Sequence, residues 1–327
     1  MNYRHLGNSG LKVSELSFGS WVTYGNQVDL ELAKTLMSAA WDHGVNFFDN
    51  AESYAHGESE RVMGRALKEL GWQREQYVVS TKIFWGGQTP NEKGLSFKHI
   101  VEGVDRSLRN FQLDHVDLVF AHRPDFETPV SETVRAFNQV IHQGKAFYWG
   151  TSEWPAERIL EAAKFAEDNY LIGPTMEQPE YNLLHRTRFE EEYAILYKKL
   201  GLGTTTWSPL KSGMLSGKYR GGAFPEGTRA NLPGYEWLKE MFSDPSRMQA
   251  VENLARISDD LGVSLAQMSI AWLLKSPNVS TVITGASRLE QLEENFKALE
   301  VVDMLTDDVL DRIDDALANY PDDTAVN

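Results

Sequence analysis

Residues 46–54, NFFDNAESY, pass from a short apolar run into an acid, an amide and then, five positions beyond the acid, a phenol. A helical pattern precedes this stretch at 29–43 and another follows at 59–70, so the apolar run reads as a strand, 45–49, buried on both faces between crossover helices. The same plan recurs outward in both directions. Strands are expected at 15–18, 45–49, 77–82, 116–121, 146–151, 175–178, 203–208 and 279–284. Between them lie helical periods such as 29–43, 59–70, 99–111, 130–143, 155–168, 189–200 and 265–275. Eight alternations predict a closed (β/α)8 TIM barrel, with residues 1–327 forming one domain of a size ordinary for that fold. The opening YRHLGNSGLKVS (3–14) predicts an N-terminal β-hairpin around Asn8-Ser9-Gly10, placed to plug the barrel floor. After strand 7 the pattern breaks over 209–247 into a long loop containing GGAFPEGTRANLPGYEW, too Gly/Pro-rich for an ordinary connection and of the kind that forms lids.

The 327 residues carry 32 Lys plus Arg against 47 Asp plus Glu, a formal net charge of −15. That balance argues against a nucleic-acid backbone or an anionic membrane surface as main partner, and any anionic ligand needs a local basic pocket. With no cysteine, disulfides, thiolate nucleophiles and Cys-based zinc sites are excluded, which fits a reducing compartment. No signal-peptide plan opens the chain, and no run of about 18 apolar residues suits membrane insertion. A cytoplasmic location is expected. The 8 histidines give no i, i+4 pair, so no metal site is predicted.

In a barrel of this kind, ligand chemistry gathers where strands hand over to helices. Strand two ends in Asp49 with Tyr54 in its loop, strand three in VVSTK with Lys82, and strand four in LVFAHRPD with His122. A phenol is a poor proton donor at neutral pH, and burial alone raises its pKa further. A cation beside it counters that, so Lys82 tunes Tyr54 while Asp49 keeps the lysine protonated. Singly, Asp49 also reads as a capping or loop acid, Lys82 as a snorkelling strand-end lysine, Tyr54 as a packed aromatic and His122 as a locally bonded histidine. Lys82 could also serve a Schiff-base lyase. GMLSGKY (213–219) is one residue short of a phosphate-binding nucleotide loop, GTSEW lacks the closing Gly of a nucleophile elbow, and no G-x-G-x-x-G follows a strand.

At these residues the sequence resembles the aldo-keto reductases, whose catalytic groups are an Asp, a Tyr, a Lys and a His in this order. The resemblance runs through FFDNAESYAHGESERVMGRAL, VVSTKIFWGG, VDLVFAHRPD, YWGTSEW, EQPEYNLLHR, TTTWSPLKSGMLSGKY and VITGASRLEQLEENF. It is nearest the branch holding the voltage-gated potassium-channel β-subunits and their bacterial-type enzyme relatives. It implies an NADPH-dependent oxidoreductase that reduces aldehydes and some ketones, small carbonyl substrates, with Asp49, Tyr54, Lys82 and His122 as catalytic residues. His122 stands where that branch's channel subunits carry Asn, which favours an enzyme. The alternative it implies is a slow-turnover NADPH-binding redox sensor or a channel β-subunit-like accessory.

Carried over residue by residue, the resemblance stacks Trp207 on the nicotinamide and gives its carboxamide to Ser152 and Gln178. Glu153 occupies the place where the family commonly has Asn or Arg. Ser208, Pro209, Leu210, Ser212 and Lys218 would line the pyrophosphate. Arg229, Ser287 and Gln291 would reach an adenosine 2′-phosphate, and Glu294 and Asn295 the adenine, which points to NADPH over NADH. Trp21, Gln27, Asp49 and Gly285 complete the implied cofactor set. Trp21, Tyr24 and Trp85, with Tyr54 and His122, would wall the substrate pocket, left open by the short tail ANYPDDTAVN. The resemblance also implies a homo-oligomer, a tetramer or octamer.

Overall fold

The structure, a computed structural model, describes residues 1–21, 29–222, 224, 229–231 and 237–318. Among these, β3 (Leu16–Gly19), β4 (Phe47–Asp49), β5 (Val78–Ile83), β6 (Leu118–Ala121), β7 (Tyr148–Thr151), β8 (Met176–Glu177), β9 (Gly203–Thr206) and β10 (Thr281–Thr284) form one closed parallel barrel in chain order. Pairing of Val282 with Leu16 and of Thr284 with Phe18 closes the circle. Each lies within or beside the segment its sequence predicts. The helices α1 (Leu30–Asp42), α2 (Glu58–Leu70), α3 (Phe97–Phe111), α4 (Val130–His142), α5 (Ala156–Asp168) and α6 (Ala194–Leu200) follow β3 to β8 in turn. The protein is a (β/α)8 TIM barrel.

Strand residues alternate between the barrel interior and the helices, and both faces are buried, which is why the strands read as continuous apolar runs. Phe47 packs inward, while Phe48 turns out to stack on Trp72 at 5.5 Å. On β7, Trp149 turns out to stack on Phe137 of α4 at 4.9 Å. The inward columns therefore run Phe47–Asp49, Val78–Ser80–Lys82, Leu118–Phe120–His122, Gly150–Ser152, Met176–Gln178 and Gly203–Thr205. Their lower members are apolar or glycine and their upper members polar.

The hairpin of β1 (Tyr3–His5) and β2 (Lys12–Ser14) lies at the lower end. Leu6 and Val13 are fully buried in one cluster with Phe47, Val78, Leu118, Phe120 and Met176, and so close the floor. Gly7, at φ +57°, approaches Gly203 so closely that a Cβ on Gly7 would sit 2.3 Å from the Gly203 nitrogen. Neither position has room for a side chain.

The chain divides into two compact units. The first, Met1–Pro179, Glu192–Thr206 and Asn278–Leu292, holds the hairpin and the whole barrel. The second comprises Glu180–Glu191, Trp207–Pro277 and Glu293–Asn327. It contains α7 (Trp237–Phe242), α8 (Pro245–Leu261) and α9 (Leu265–Lys275). Within it Tyr181 stacks on Phe189 at 3.8 Å, and Arg186 lies 5.1 Å over the Trp272 ring. Among the described residues of the long stretch after β9, the chain returns to helix at α7 and α8. Leu238 and Phe242, one helical turn apart, bury one face of α7, and Asp244 caps α8 ahead of a proline at its first turn.

Candidate active site

The upper members of the inward columns converge at the mouth of the barrel. Lys82, fully buried on β5, directs its ammonium at three oxygens: it donates to Asp49 Oδ2 at 2.6 Å, the Asn50 carbonyl at 2.8 Å and the Tyr54 hydroxyl at 3.0 Å. An ammonium has three donors, so this set is complete. Asp49 Oδ1 in turn accepts from Ser80 Oγ at 2.7 Å and from Gln178 Nε2 at 3.0 Å, and Gln178 Nε2 also donates to Thr205 Oγ1 at 3.1 Å. The carboxylate is thus bonded at both oxygens, the condition under which a buried charge persists.

Local structure brings Tyr54 to this point. Glu52 N donates to the Lys82 carbonyl at 3.2 Å, Glu52 Oε1 accepts from Phe84 N at 2.7 Å, and Arg106 holds Glu52 Oε2 at 2.6 Å. Beyond Tyr54 the backbone turns through Ala55 (φ +47°), His56 (φ +53°) and Gly57 (φ +83°) before α2 begins. Two successive non-glycine residues in the left-handed region carry a local conformational cost, which the anchoring of Glu52 and the helix offset.

Enclosure in the mouth pushes the Tyr54 phenol above its ordinary value, and the Lys82 ammonium, with Arg123, offsets this only in part. Burial alone would lower Lys82, yet the charge of Asp49, with the hydrogen bonds to Asp49 and Tyr54, outweighs it and holds the ammonium above the usual lysine value. The phenol therefore keeps its proton at neutral pH, beside a permanent cation. His122 is pushed well below its ordinary value by burial and by Lys82 and Arg123. It is a neutral imidazole. Its Nδ1 is buried without a hydrogen-bond partner, so the ring proton is better placed on Nε2.

Aromatic rings stand around these groups. Trp21 lies 6.5 Å from the Tyr54 ring, His122 5.9 Å from Tyr54 edge-on, and Trp85 5.0 Å from His122. Trp21 and Trp85 remain 41% and 42% exposed, leaving an open, apolar rim. Tyr24 and Gln27, and the side chain of Arg229, lie outside what the structure describes.

Ser152 Oγ donates to the Gln178 carbonyl at 2.9 Å and accepts from Arg123 Nη1 at 3.3 Å. Both amide hydrogens of Gln178 are taken by Asp49 and Thr205, which leaves its Oε1 as an acceptor. An acceptor beside hydroxyl and guanidinium groups fits a carboxamide. Near the start of α10 (Leu289–Phe296), which follows Gly285 at the end of β10, Gln291 Oε1 takes both the Ser287 N–H and its hydroxyl, at 3.0 and 3.1 Å. The Gln291 amide nitrogen is left as the donor of that pair.

In the second unit, Trp207 is half-buried, and its carbonyl accepts from Tyr181 N at 3.3 Å. Ser208, itself left-handed at φ +56°, caps the Ser212 N–H at 3.1 Å, and the half-buried Pro209 and Leu210 lead into the turn Lys211–Ser216. Lys218 Nζ lies 5.2 Å over the Tyr219 ring. Glu294 accepts from Gln267 at 2.9 Å, and Asn295 is buried.

The side chains that complete the charge network beyond the predicted set are Ser80, Thr205 and Arg123. Ser80 carried a signal, since it stands two residues before Lys82 in the same inward column. Arg123 carried none beyond its place after His122.

A family model described as the aldo/keto reductase family matches residues 15–318. Two proteins, each described as a probable voltage-gated potassium channel subunit beta, one from Arabidopsis thaliana and one from Oryza sativa subsp. japonica, are each 54% identical to this chain over 321 residues. Those matches cover 98% of this chain and 98% of each relative. Among the described residues no helix is long and apolar enough to cross a membrane.

Proposed function

This chain belongs to the aldo/keto reductase family, and we propose on that premise that it is an NADPH-dependent oxidoreductase reducing aldehydes, and some ketones, to alcohols. The observation that carries the reading is the Lys82 ammonium bonded at once to Asp49, the Asn50 carbonyl and the Tyr54 hydroxyl. When bound, NADPH supplies the hydride for the carbonyl carbon. Tyr54 gives its hydroxyl proton to the carbonyl oxygen, and the adjoining ammonium stabilises the phenolate left behind. Asp49 holds that ammonium charged and oriented. His122, neutral and protonated at Nε2, donates a hydrogen bond to the carbonyl oxygen and fixes its approach. Trp21 and Trp85, with Tyr24, shelter the apolar part of the substrate. Ser152 and Gln178 fit the carboxamide end of the cofactor. Gly285 and Gln27 join Trp207, Ser208, Pro209, Leu210, Ser212, Lys218, Arg229, Ser287, Gln291, Glu294 and Asn295 as its further contacts. A cytoplasmic homo-oligomer is the setting we infer.

The test is a panel of aldehydes followed at the NADPH absorbance band, with NADH in parallel. Many NADPH oxidised per active site, and less efficiency with NADH, is the expected result. The relatives' descriptions as probable channel subunits favour a second reading, a channel accessory, which we would expect to sense redox state and turn over slowly. A stall near one turnover across the panel would select it. A further expectation follows from His122: kcat/KM for reduction should show no inflection near pH 6.5, because the imidazole gains its proton only in more acid solution. An inflection there that disappears in His122→Asn would contradict the neutral donor.

A further inference from the structure

Arg123 follows His122 at the barrel mouth, and its surroundings commit only one of its three nitrogens. Nη1 donates to the His122 carbonyl at 2.6 Å and to Ser152 Oγ at 3.3 Å. The guanidinium carbon lies 5.5 Å over the Trp85 ring, which also stands edge-on to His122 at 5.0 Å. Among the described residues no carboxylate pairs with Arg123, although acids outnumber bases 47 to 32 in the chain. Its Nε and Nη2 make no hydrogen bond to any described residue. Its charge is felt at both Tyr54 and His122, so it stands within electrostatic reach of the atoms that meet the carbonyl.

An arginine so held, pinned at one nitrogen and resting on an indole, presents an unused fork of two parallel N–H groups. That fork matches the two oxygens of a carboxylate, and the indole limits the conformations lost on binding. We propose that Arg123 is a specificity-determining residue and that the preferred substrates are aldehydes carrying a carboxylate a few bonds from the carbonyl. The apolar rim of Trp21 and Trp85 receives the linking carbons, and the guanidinium receives the acid. In a chain of net charge −15, this local cation supplies what the overall field denies an anion.

The inference rests on carbonyl reduction at this site, and the experiment separates the two. kcat/KM is measured with 4-carboxybenzaldehyde and its methyl ester, and with 4-oxobutanoate and its methyl ester, at low and high salt. The acid is expected to exceed its ester by on the order of tenfold, mainly through KM, with the ratio shrinking as salt rises. In Arg123→Gln the ratio should collapse towards unity, and in Arg123→Lys, which keeps the charge and loses the fork, it should fall part of the way. A wild-type ratio of one or less overturns the proposal. So does a ratio unchanged in either variant, because lost folding or cofactor affinity lowers acid and ester together. Should the wild type reduce neither member of either pair, while reducing no other aldehyde, the assigned reaction fails instead.

Discussion

Tyr54→Phe is expected to lower turnover by on the order of a hundredfold or more while leaving NADPH affinity nearly unchanged. The substitution keeps the ring, and with it the contacts to Trp21 at 6.5 Å and His122 at 5.9 Å. Lys82 retains Asp49 and the Asn50 carbonyl and loses only its third acceptor, at 3.0 Å. What disappears is the one neutral hydroxyl poised beside a permanent cation, so the loss falls on kcat. Steady-state kinetics and a fluorescence titration of the cofactor measure the two effects. Turnover within a few-fold of the parent would strip Tyr54 of its role as donor.

The second large effect is expected from Lys82→Met, which should abolish measurable turnover and destabilise the fold by about 3–5 kcal/mol, the usual result of stranding one member of a buried ion pair. Asp49 is almost wholly buried and would keep only Ser80 and Gln178 as donors. Combining Lys82→Met with Asp49→Asn removes the stranded charge, since an amide can still accept from Ser80 and Gln178 through its oxygen. The double variant should therefore recover most of the stability and none of the activity. Urea midpoints at constant m-value, read beside turnover, give both quantities. A single variant as stable as the parent would show that the pair is solvated and not buried.

The barrel was legible because both faces of its strands are buried: FFD, VVSTK and LVFA leave no alternation to confuse with a surface sheet. The polar ends of those runs announced Asp49, Lys82 and His122. Their mutual distances were not legible, since Gln178 reaches Asp49 across 129 residues of chain and Lys82 reaches it across 33. The sequence also placed a cation beside Tyr54 without giving the outcome of its contest with burial, in which enclosure prevails and the phenol ends above its ordinary value. That balance depends on how much water reaches the ring, which no motif encodes. Arg123 went unnoticed for a related reason: its meaning lies in the lack of a carboxylate opposite it among the described residues, and a sequence lists acids without saying where they lie.

The plug of Leu6 and Val13 beneath the barrel has a consequence for each catalytic cycle. Among the described residues an apolar cluster closes the barrel below Lys82, and both oxygens of the carboxylate behind the lysine already accept hydrogen bonds. In the proposed reduction, the hydrogen surrendered by the phenol is then replaced from the open end, after the alcohol has left. Reloading and product departure share one doorway, so at saturating substrate the two should slow together in viscous or deuterated solvent.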